Sequence, residues 1–196
     1  MKKFFNLRNI LLLSGALLIL VAFIMSFFVK MIISYGEDSG AFNNVVWGCR
    51  SITASDGSVR PISDAGDMKI KNLIGPAMVP FIGVLLMIIG AVAAVLVGLL
   101  VKKPFAKWIV LSCAAVILAG AIMQFFAVDA FCRSYIEALA KDEGITDKSQ
   151  IEAAIEEFKQ AMKVYNARTP VATVGGILGI VGALAMVVSP FVPEKK

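Results

Sequence analysis

The chain has 196 residues, of which 59% are hydrophobic, and its mean hydropathy is +0.84. This composition excludes an ordinary soluble domain and fits a polytopic membrane protein. Four apolar runs carry no ionisable side chain deep inside, and each is long enough to cross a hydrocarbon core about 30 Å thick. The sequence therefore predicts an all-α membrane protein, a single domain over residues 1–196. Its bundle of four transmembrane helices is expected at residues 10–29, 73–101, 108–128 and 171–189.

The net charge of +5 is distributed along the ends of these helices, so it does not indicate a nucleic-acid partner. Eight Lys or Arg and one Glu flank the helices on one side, which gives +7. The other side has eleven Lys or Arg and thirteen Asp or Glu, which gives −2. Short basic segments belong in the cytoplasm. We therefore expect a multi-pass protein of the cell membrane, with both termini and residues 102–107 cytoplasmic and residues 31–71 and 129–168 outside.

Residues 31–71 predict a small extracellular β-meander, because Gly, Ser, Asn and Asp occur throughout. Strands are expected at 42–47 and 50–55. Asp56-Gly57 is the pattern of a type I′ hairpin turn, in which both central residues need a positive φ. The return strand contains Pro61, which confines it to a sheet edge.

The second helix is expected to begin irregularly, because Gly75, Pro76 and Pro80 occur in its first turns. An interrupted helix exposes backbone groups that can bind a solute. Gln124 is the one strongly polar side chain well inside a predicted span. It either bonds to another helix or lines a polar cavity with Pro76 and Pro80.

Small residues recur at every fourth position in two of the helices. In lipid, such seams allow two helix backbones to approach closely. They serve either packing within one monomer or an oligomer interface. The seams are Gly90, Ala94 and Gly98 in the second helix, and Gly175, Gly179 and Ala183 in the fourth.

Residues 129–168 predict an extracellular helical hairpin. The third helix is expected to continue past the membrane surface and to end at Gly144. Ser149 and Glu152 have the spacing of a capping box, so an amphipathic helix is expected at 149–166. Antiparallel packing of the two helices would bring Phe158 near Tyr135 or Phe131.

Thr169-Pro170 predicts the start of the fourth helix, since Thr is a common N-cap and Pro is favoured at the first helical position. Two of the three cysteines, Cys49 and Cys132, fall on the same predicted side of the membrane. They could form a disulfide if their Cα atoms lie within about 7 Å. Cys113 is expected to lie inside the membrane, where its side chain packs as a small, unreactive apolar group.

The sequence contains none of the common motifs of catalytic, metal-binding or cofactor-binding sites. It has no His, which is the commonest general base and metal ligand. It has no C-x-x-C, phosphate-binding loop, zinc spacing or nucleophile elbow. No catalytic, metal-binding or cofactor-binding residue is predicted, and the protein is not expected to be an enzyme or to hold a cofactor.

The leading interpretation is an assembly, adhesion or accessory subunit in the lipid bilayer that presents its outer loops to a protein partner or to a second copy. The candidate contact residues are Trp47, Arg50, Phe158 and Tyr165. The alternative is a small-solute or lipid transporter, or a channel subunit, that uses the Gly- and Pro-containing start of the second helix.

This plan resembles the claudin-type four-helix membrane proteins, which have a β-type first outer loop and a short inner turn. Trp47-Gly48-Cys49 resembles the Trp- and Cys-bearing stretch of that family's first loop, although the family's second cysteine in this loop is missing here. The tetraspanin pattern fits less well, because the Cys-Cys-Gly of its large loop is absent. The resemblance concerns architecture and implies little about function.

Overall fold

The computed structural model describes residues 6–62 and 75–193. Four helical stretches within this part are long and apolar enough to cross a membrane: Leu7–Ser26, Met78–Leu100, Ala106–Asp142 and Pro170–Phe191. The third is divided by a 3-10 turn at Gln124–Phe126. In chain order the elements are α1 (Leu7–Ser26), β1 (Lys30–Tyr35), β2 (Asp38–Asn43), β3 (Ser51–Thr53), β4 (Val59–Pro61), α2 (Met78–Leu100), α3 (Ala106–Met123), α4 (Ala127–Asp142), α5 (Lys148–Val164) and α6 (Pro170–Val188).

The chain forms two compact units, each assembled from segments that are distant in sequence. The four-helix unit contains the segment ending at Met25, Ile82–Phe125 and the segment beginning at Thr173. The sheet–hairpin unit contains Ser26–Phe81 and Phe126–Ala172. The first unit holds most of α1, α2 and α6 and all of α3, whereas the second holds the four strands, α4 and α5.

The core of the four-helix unit combines large flexible side chains with small ones. Every one of its helices contributes, and the outer faces carry exposed Leu, Ile and Val side chains that suit contact with lipid. The buried core residues are Leu12, Ile19 and Ala22 of α1; Met87, Ala91 and Ala94 of α2; Val110, Ala114, Ile117 and Ala121 of α3; and Ala183 and Met186 of α6.

Glycine lies at the closest helix crossings in this unit. A Cβ built on Gly83 of α2 would lie 2.5 Å from the Gly120 carbonyl oxygen of α3, and a Cβ on Gly120 would clash with the Gly83 carbonyl in return. A Cβ on Gly15 of α1 would lie 2.6 Å from the Gly182 oxygen of α6, and the reverse distance is 2.8 Å. Because these contacts are with backbone, neither crossing can admit even a methyl group without moving a helix.

The predicted small-residue seams mostly face the inside of the four-helix unit. Gly90 lies against Ile117, and Gly98 lies against Leu12. Gly179 lies against Met87 and Ala121. Ala94 and Ala183 are buried, whereas a Cβ on Gly175 would meet only the Ala22 oxygen, at an ordinary 3.9 Å.

The strands form an antiparallel sheet in the order β1-β2-β3-β4, which confirms a meander. Its start was mispredicted, because the first span ends at Ser26 and β1 follows at Lys30. The strand expected at 42–47 is wrong over most of its length, because β2 runs from Asp38 to Asn43 and Asn44, with a φ of +55°, turns the chain away. Gly36, with a φ of +59°, opens the two-residue β1–β2 turn, as a type II′ turn requires.

The Asp56-Gly57 turn is not of type I′, because only Gly57, at +81°, has a positive φ. Residues 54–58 instead form a longer loop between Thr53 and Val59. The Asp56 carboxylate accepts a hydrogen bond from the Ser58 amide at 2.8 Å, and this side-chain turn competes with a tight hairpin. Pro61 does lie on the edge strand β4, as predicted.

The second span begins later than predicted, at Met78, so Gly75 and Pro76 precede α2. Pro80 lies in the first turn, where its missing N–H has no intrahelical partner to lose. The described helix, Met78–Leu100, therefore runs without a break. Residues 73 and 74, which were expected to start this span, lie outside the described residues.

The helical hairpin α4–α5 is present, and Gly144, with a φ of +73°, terminates the first helix as predicted. The predicted capping box is wrong. Asp147 is the N-cap of α5 and accepts hydrogen bonds from the Ser149 amide at 2.9 Å and its hydroxyl at 2.7 Å. The helix thus starts one residue before Ser149, which leaves Glu152 free to bind elsewhere. The fourth span begins at Pro170, as predicted.

Replacing Gly83 by Ala should separate α2 from α3, because the new methyl group would meet the backbone of Gly120. We expect a loss of about 1–3 kcal/mol in the free energy of unfolding, as for other overpacked sites. Gly175→Ala is the matched control, since its methyl group has room and gains about 0.5–1 kcal/mol of helix propensity. Thermal unfolding in detergent measures both. Equal stability of the two variants would contradict the crossing.

Candidate interaction surface

The two faces of the sheet differ in character. Antiparallel partners project from the same face of a sheet, and side chains alternate between faces along a strand. The register pairs Met31 with Phe42 and Phe42 with Ile52, so these apolar residues share one face. The neighbouring pair Ala41 and Thr53 belongs to the opposite face.

An aromatic cluster (Phe42, Phe131, Tyr135 and Phe158) connects the apolar face of the sheet to the hairpin. The ring centre of Phe42 lies 5.0 Å from that of Phe131 and 5.7 Å from that of Tyr135. Tyr135 stacks on Phe158 of α5 at 5.2 Å with an interplanar angle of 16°. The prediction that Phe158 packs on the continuation of the third helix is therefore confirmed.

Arg133 joins the two helices of the hairpin. Its guanidinium donates to both carboxylate oxygens of Glu152, each at 2.8 Å, and to Glu137 at 3.2 Å. The hydrogen bond from Arg133 lowers the pKa of Glu152 below its usual value. Because the partners are exposed, this fork fixes the relative register of α4 and α5 more than it stabilises them.

Trp47 packs inside the sheet–hairpin unit. Its indole N–H donates to the Ser26 hydroxyl at 2.8 Å, and its ring stacks on Phe27 with centres 4.5 Å apart. Phe81 meets the same ring edge-on at 5.1 Å. Trp47 therefore joins Ser26 and Phe81 to the loop after β2, and its side chain stays partly exposed.

The β1 edge of the sheet is covered by the segment after α5. Ile32 and Arg168 exchange two backbone hydrogen bonds of 2.9 Å, and the Ser34 amide donates to the Tyr165 oxygen at 3.0 Å. Asn166, with a φ of +54°, turns the chain between these contacts. The backbone groups of β1 at Ile32 and Ser34 are therefore already hydrogen-bonded and cannot pair with a further strand.

The cysteines are free thiols, so the structure does not contain the Cys49–Cys132 disulfide suggested by the sequence. Cys49 and Cys132 are both buried. The Cys49 thiol donates to the Ser51 carbonyl at 3.5 Å, and burial raises its pKa to about 11. It is therefore mostly protonated at neutral pH, whereas the thiolate is the reactive form.

The opposite face of the sheet is partly open to solvent and carries small, hydroxyl and amide side chains. We name it the polar sheet face. The Asn43 amide donates to the hydroxyls of Ser51 and Thr53, both at 3.1 Å, and so orders the middle of this face. Arg50, which is exposed, directly precedes β3. By register, the residues of this face on β2, β3 and β4 are Ala41, Asn43, Ser51, Thr53, Val59 and Pro61, and Lys30 and Ile32 of β1 adjoin them as the partners of Asn43 and Ala41.

The residues of the predicted polar site are divided between the two units. Pro76 and Pro80 belong to the sheet–hairpin unit, where the Pro76 carbonyl accepts a hydrogen bond from the Ser134 hydroxyl at 3.5 Å. Gln124 belongs to the four-helix unit, is buried, and donates to the Gly120 carbonyl at 3.3 Å. Its amide thus satisfies a helix carbonyl beside the Gly83–Gly120 crossing.

Residues 6–62 and 75–193 contain no group of three or more His, Cys, Asp or Glu side chains placed to hold a metal ion. No model of a known protein family matches the sequence, and no curated protein matches it significantly. The polar sheet face was missed by sequence reasoning because it depends on strand register. Correct bounds for β2 would have revealed it, through the alternation of Ala41 and Asn43 with Phe42.

Phe158→Ala should loosen α5 from α4 while leaving membrane insertion intact, because it removes one ring of the stacked pair. Burial of such a side chain stabilises by about 1.5–3 kcal/mol. Hydrogen exchange of the α5 amides should accelerate accordingly. Val164→Ala is the control on the same helix, since this side chain is 79% exposed. Unchanged α5 exchange in Phe158→Ala would contradict the role of the aromatic cluster.

Proposed function

We propose that this protein is a non-enzymatic membrane subunit for assembly or adhesion, which presents its sheet–hairpin unit to a protein partner. The observation that carries the proposal is the polar sheet face. The other sheet face is occupied by the aromatic cluster, and the β1 edge is occupied by residues 165–168. Among the described residues, the polar sheet face is an ordered surface that these internal contacts leave partly exposed.

The chemistry of this face suits a protein partner. Its side chains are short, so ordering them on binding costs little conformational entropy. Interface centres are depleted in charged residues, and the members of the polar sheet face on β2, β3 and β4 are uncharged, with Lys30 of β1 beside them. The hydroxyls of Ser51 and Thr53, already held by Asn43, offer preorganised hydrogen-bonding groups. Arg50 lies beside them as a charge at the rim.

The four-helix unit supports a role as an anchor more than a role in transport. Its described residues include no Asp, Glu or His, which proton relays and ion pathways normally place in the membrane. Gln124 is buried and donates to the Gly120 carbonyl, and Gly83 of α2 packs close against its amide. Gly75 and Pro76 precede α2, which runs from Met78 to Leu100 without a break.

The proposed location is the cell membrane, with both termini and the α2–α3 turn in the cytoplasm and the sheet–hairpin unit outside. The charge distribution supports this orientation, since the segments flanking the termini and the turn are short and basic. The exposed positions Ser55, Ser149 and Lys103 provide a test.

Single cysteines at Ser55 and Ser149 should react with a membrane-impermeant thiol reagent in intact cells. A cysteine at Lys103, on the other side, should react only after permeabilisation. Cys49 and Cys132 are buried and Cys113 lies within the span of α3, so the native protein gives little background. Protection of the first two sites in intact cells, together with labelling at Lys103, would reverse the proposed orientation.

A photo-crosslinking amino acid at Thr53, on the polar sheet face, should yield adducts with a specific protein in native membranes. The same probe at Glu157, an exposed position on α5, is the matched control and should yield few. Two differently tagged copies of the chain distinguish a homo-oligomer from a different partner. Adducts from Glu157 but not from Thr53, or a purely monomeric chain in native lipid, would contradict the proposed function.

A further inference from the structure

The turn between α2 and α3 concentrates positive charge and exposed aromatic rings. Lys102, Lys103 and Lys107 are exposed, as are Phe105 and Trp108 at 49% and 63%. The ammonium of Lys103 lies 5.9 Å from the centre of the Phe105 ring, and that of Lys107 lies 5.5 Å from the centre of the Trp108 ring. We call these five residues the basic turn.

Arg8 adds a fourth cation at the same end of α2. Its guanidinium donates to the Gly98 carbonyl at 3.5 Å, one turn before the basic turn begins. These four are the Lys and Arg side chains of the four-helix unit within the described residues, and that part of the unit contains no Asp or Glu. Among its described residues, no carboxylate of the unit therefore neutralises the basic turn.

The position of the basic turn indicates which anions are available to it. α2 and α3 are both long and apolar enough to cross a membrane, so the few residues between them lie at a membrane surface. Aromatic rings are enriched at the headgroup level, and Lys side chains extend from there toward lipid phosphates. An exposed Trp and an exposed Phe beside three Lys match this layer.

We propose that the basic turn binds the headgroups of anionic phospholipids in the leaflet that it faces. Lys102, Lys103 and Lys107 contact the phosphate groups, while Phe105 and Trp108 lie at the boundary between headgroups and acyl chains. Each basic residue near an anionic surface raises the binding constant for that surface about fivefold. The turn therefore collects anionic lipid around one end of the four-helix unit.

Fluorescence of Trp108 tests this proposal in reconstituted full-length protein. Bromine on the acyl chains of a lipid quenches a nearby tryptophan, so brominated phosphatidylglycerol is compared with brominated phosphatidylcholine at equal mole fraction. The bromolipid is present in both leaflets, so the orientation of the protein does not matter. The chain has two Trp, and Trp108→Phe gives the contribution of Trp47, which is then subtracted.

We expect the anionic bromolipid to be enriched about two- to fivefold over the neutral one at Trp108. The preference should disappear in about 1 M NaCl, where the Debye length is about 3 Å. Inorganic phosphate at matched ionic strength should act no more strongly than NaCl, which separates a lipid site from a site for free phosphate. The salt series uses the unaltered chain, so it tests the proposal even if a variant fails to fold.

The triple variant Lys102→Gln, Lys103→Gln, Lys107→Gln should lose the preference. The matched control removes the same charge from the sheet–hairpin unit, at Lys141, Lys148 and Lys163, and should keep it. Equal quenching by the two bromolipids at low salt would overturn the proposal. A preference that survives the triple variant, or that both triple variants lose equally, would overturn it as well.

Discussion

Backbone contact at two helix crossings, Gly83 with Gly120 and Gly15 with Gly182, determines how closely the apolar helices pack. Lipid chains are as apolar as leucine, so helices in a bilayer associate through dispersion contacts and hydrogen bonds, and these need close approach. The glycines supply that approach, and larger side chains such as Met87 fill the space beside them. A unit packed in this way has no need of buried charge, and its described residues have none.

The side-chain contacts that fix one particular arrangement of strands and helices occur in the sheet–hairpin unit. Phe42 connects the sheet to the aromatic cluster, and Arg133 fixes the register of the hairpin by its fork to Glu152. These contacts use one face of the sheet, and residues 165–168 use one edge. The proposed partner surface follows from this arrangement, because Asn43, Ser51 and Thr53 are ordered and stay partly exposed.

The spans could be predicted from sequence because an uncharged apolar run of about 20 residues matches the thickness of a bilayer and is uncommon in soluble domains. The contact of Phe158 with Tyr135 was predictable because helical spacing fixes which side chains share a face. β1 was missed because Met31, Ile32 and Ile33 are three consecutive apolar residues, without the alternation that marks a half-buried strand. The Gly83–Gly120 crossing was missed because the two glycines lie in different helices, and neither helix shows by itself that they meet. The seams, by contrast, repeat within one helix and were visible.

In the proposed function, the four-helix unit is a packed anchor with no aqueous path through it. Single cysteines placed in turn along α3, from Ala106 to Met123, and treated with a small water-soluble thiol reagent test this most directly. The account predicts no reaction through the middle of the helix, including at the native Cys113. Reaction at every third or fourth position across the span would reveal a water-filled pathway and contradict the account.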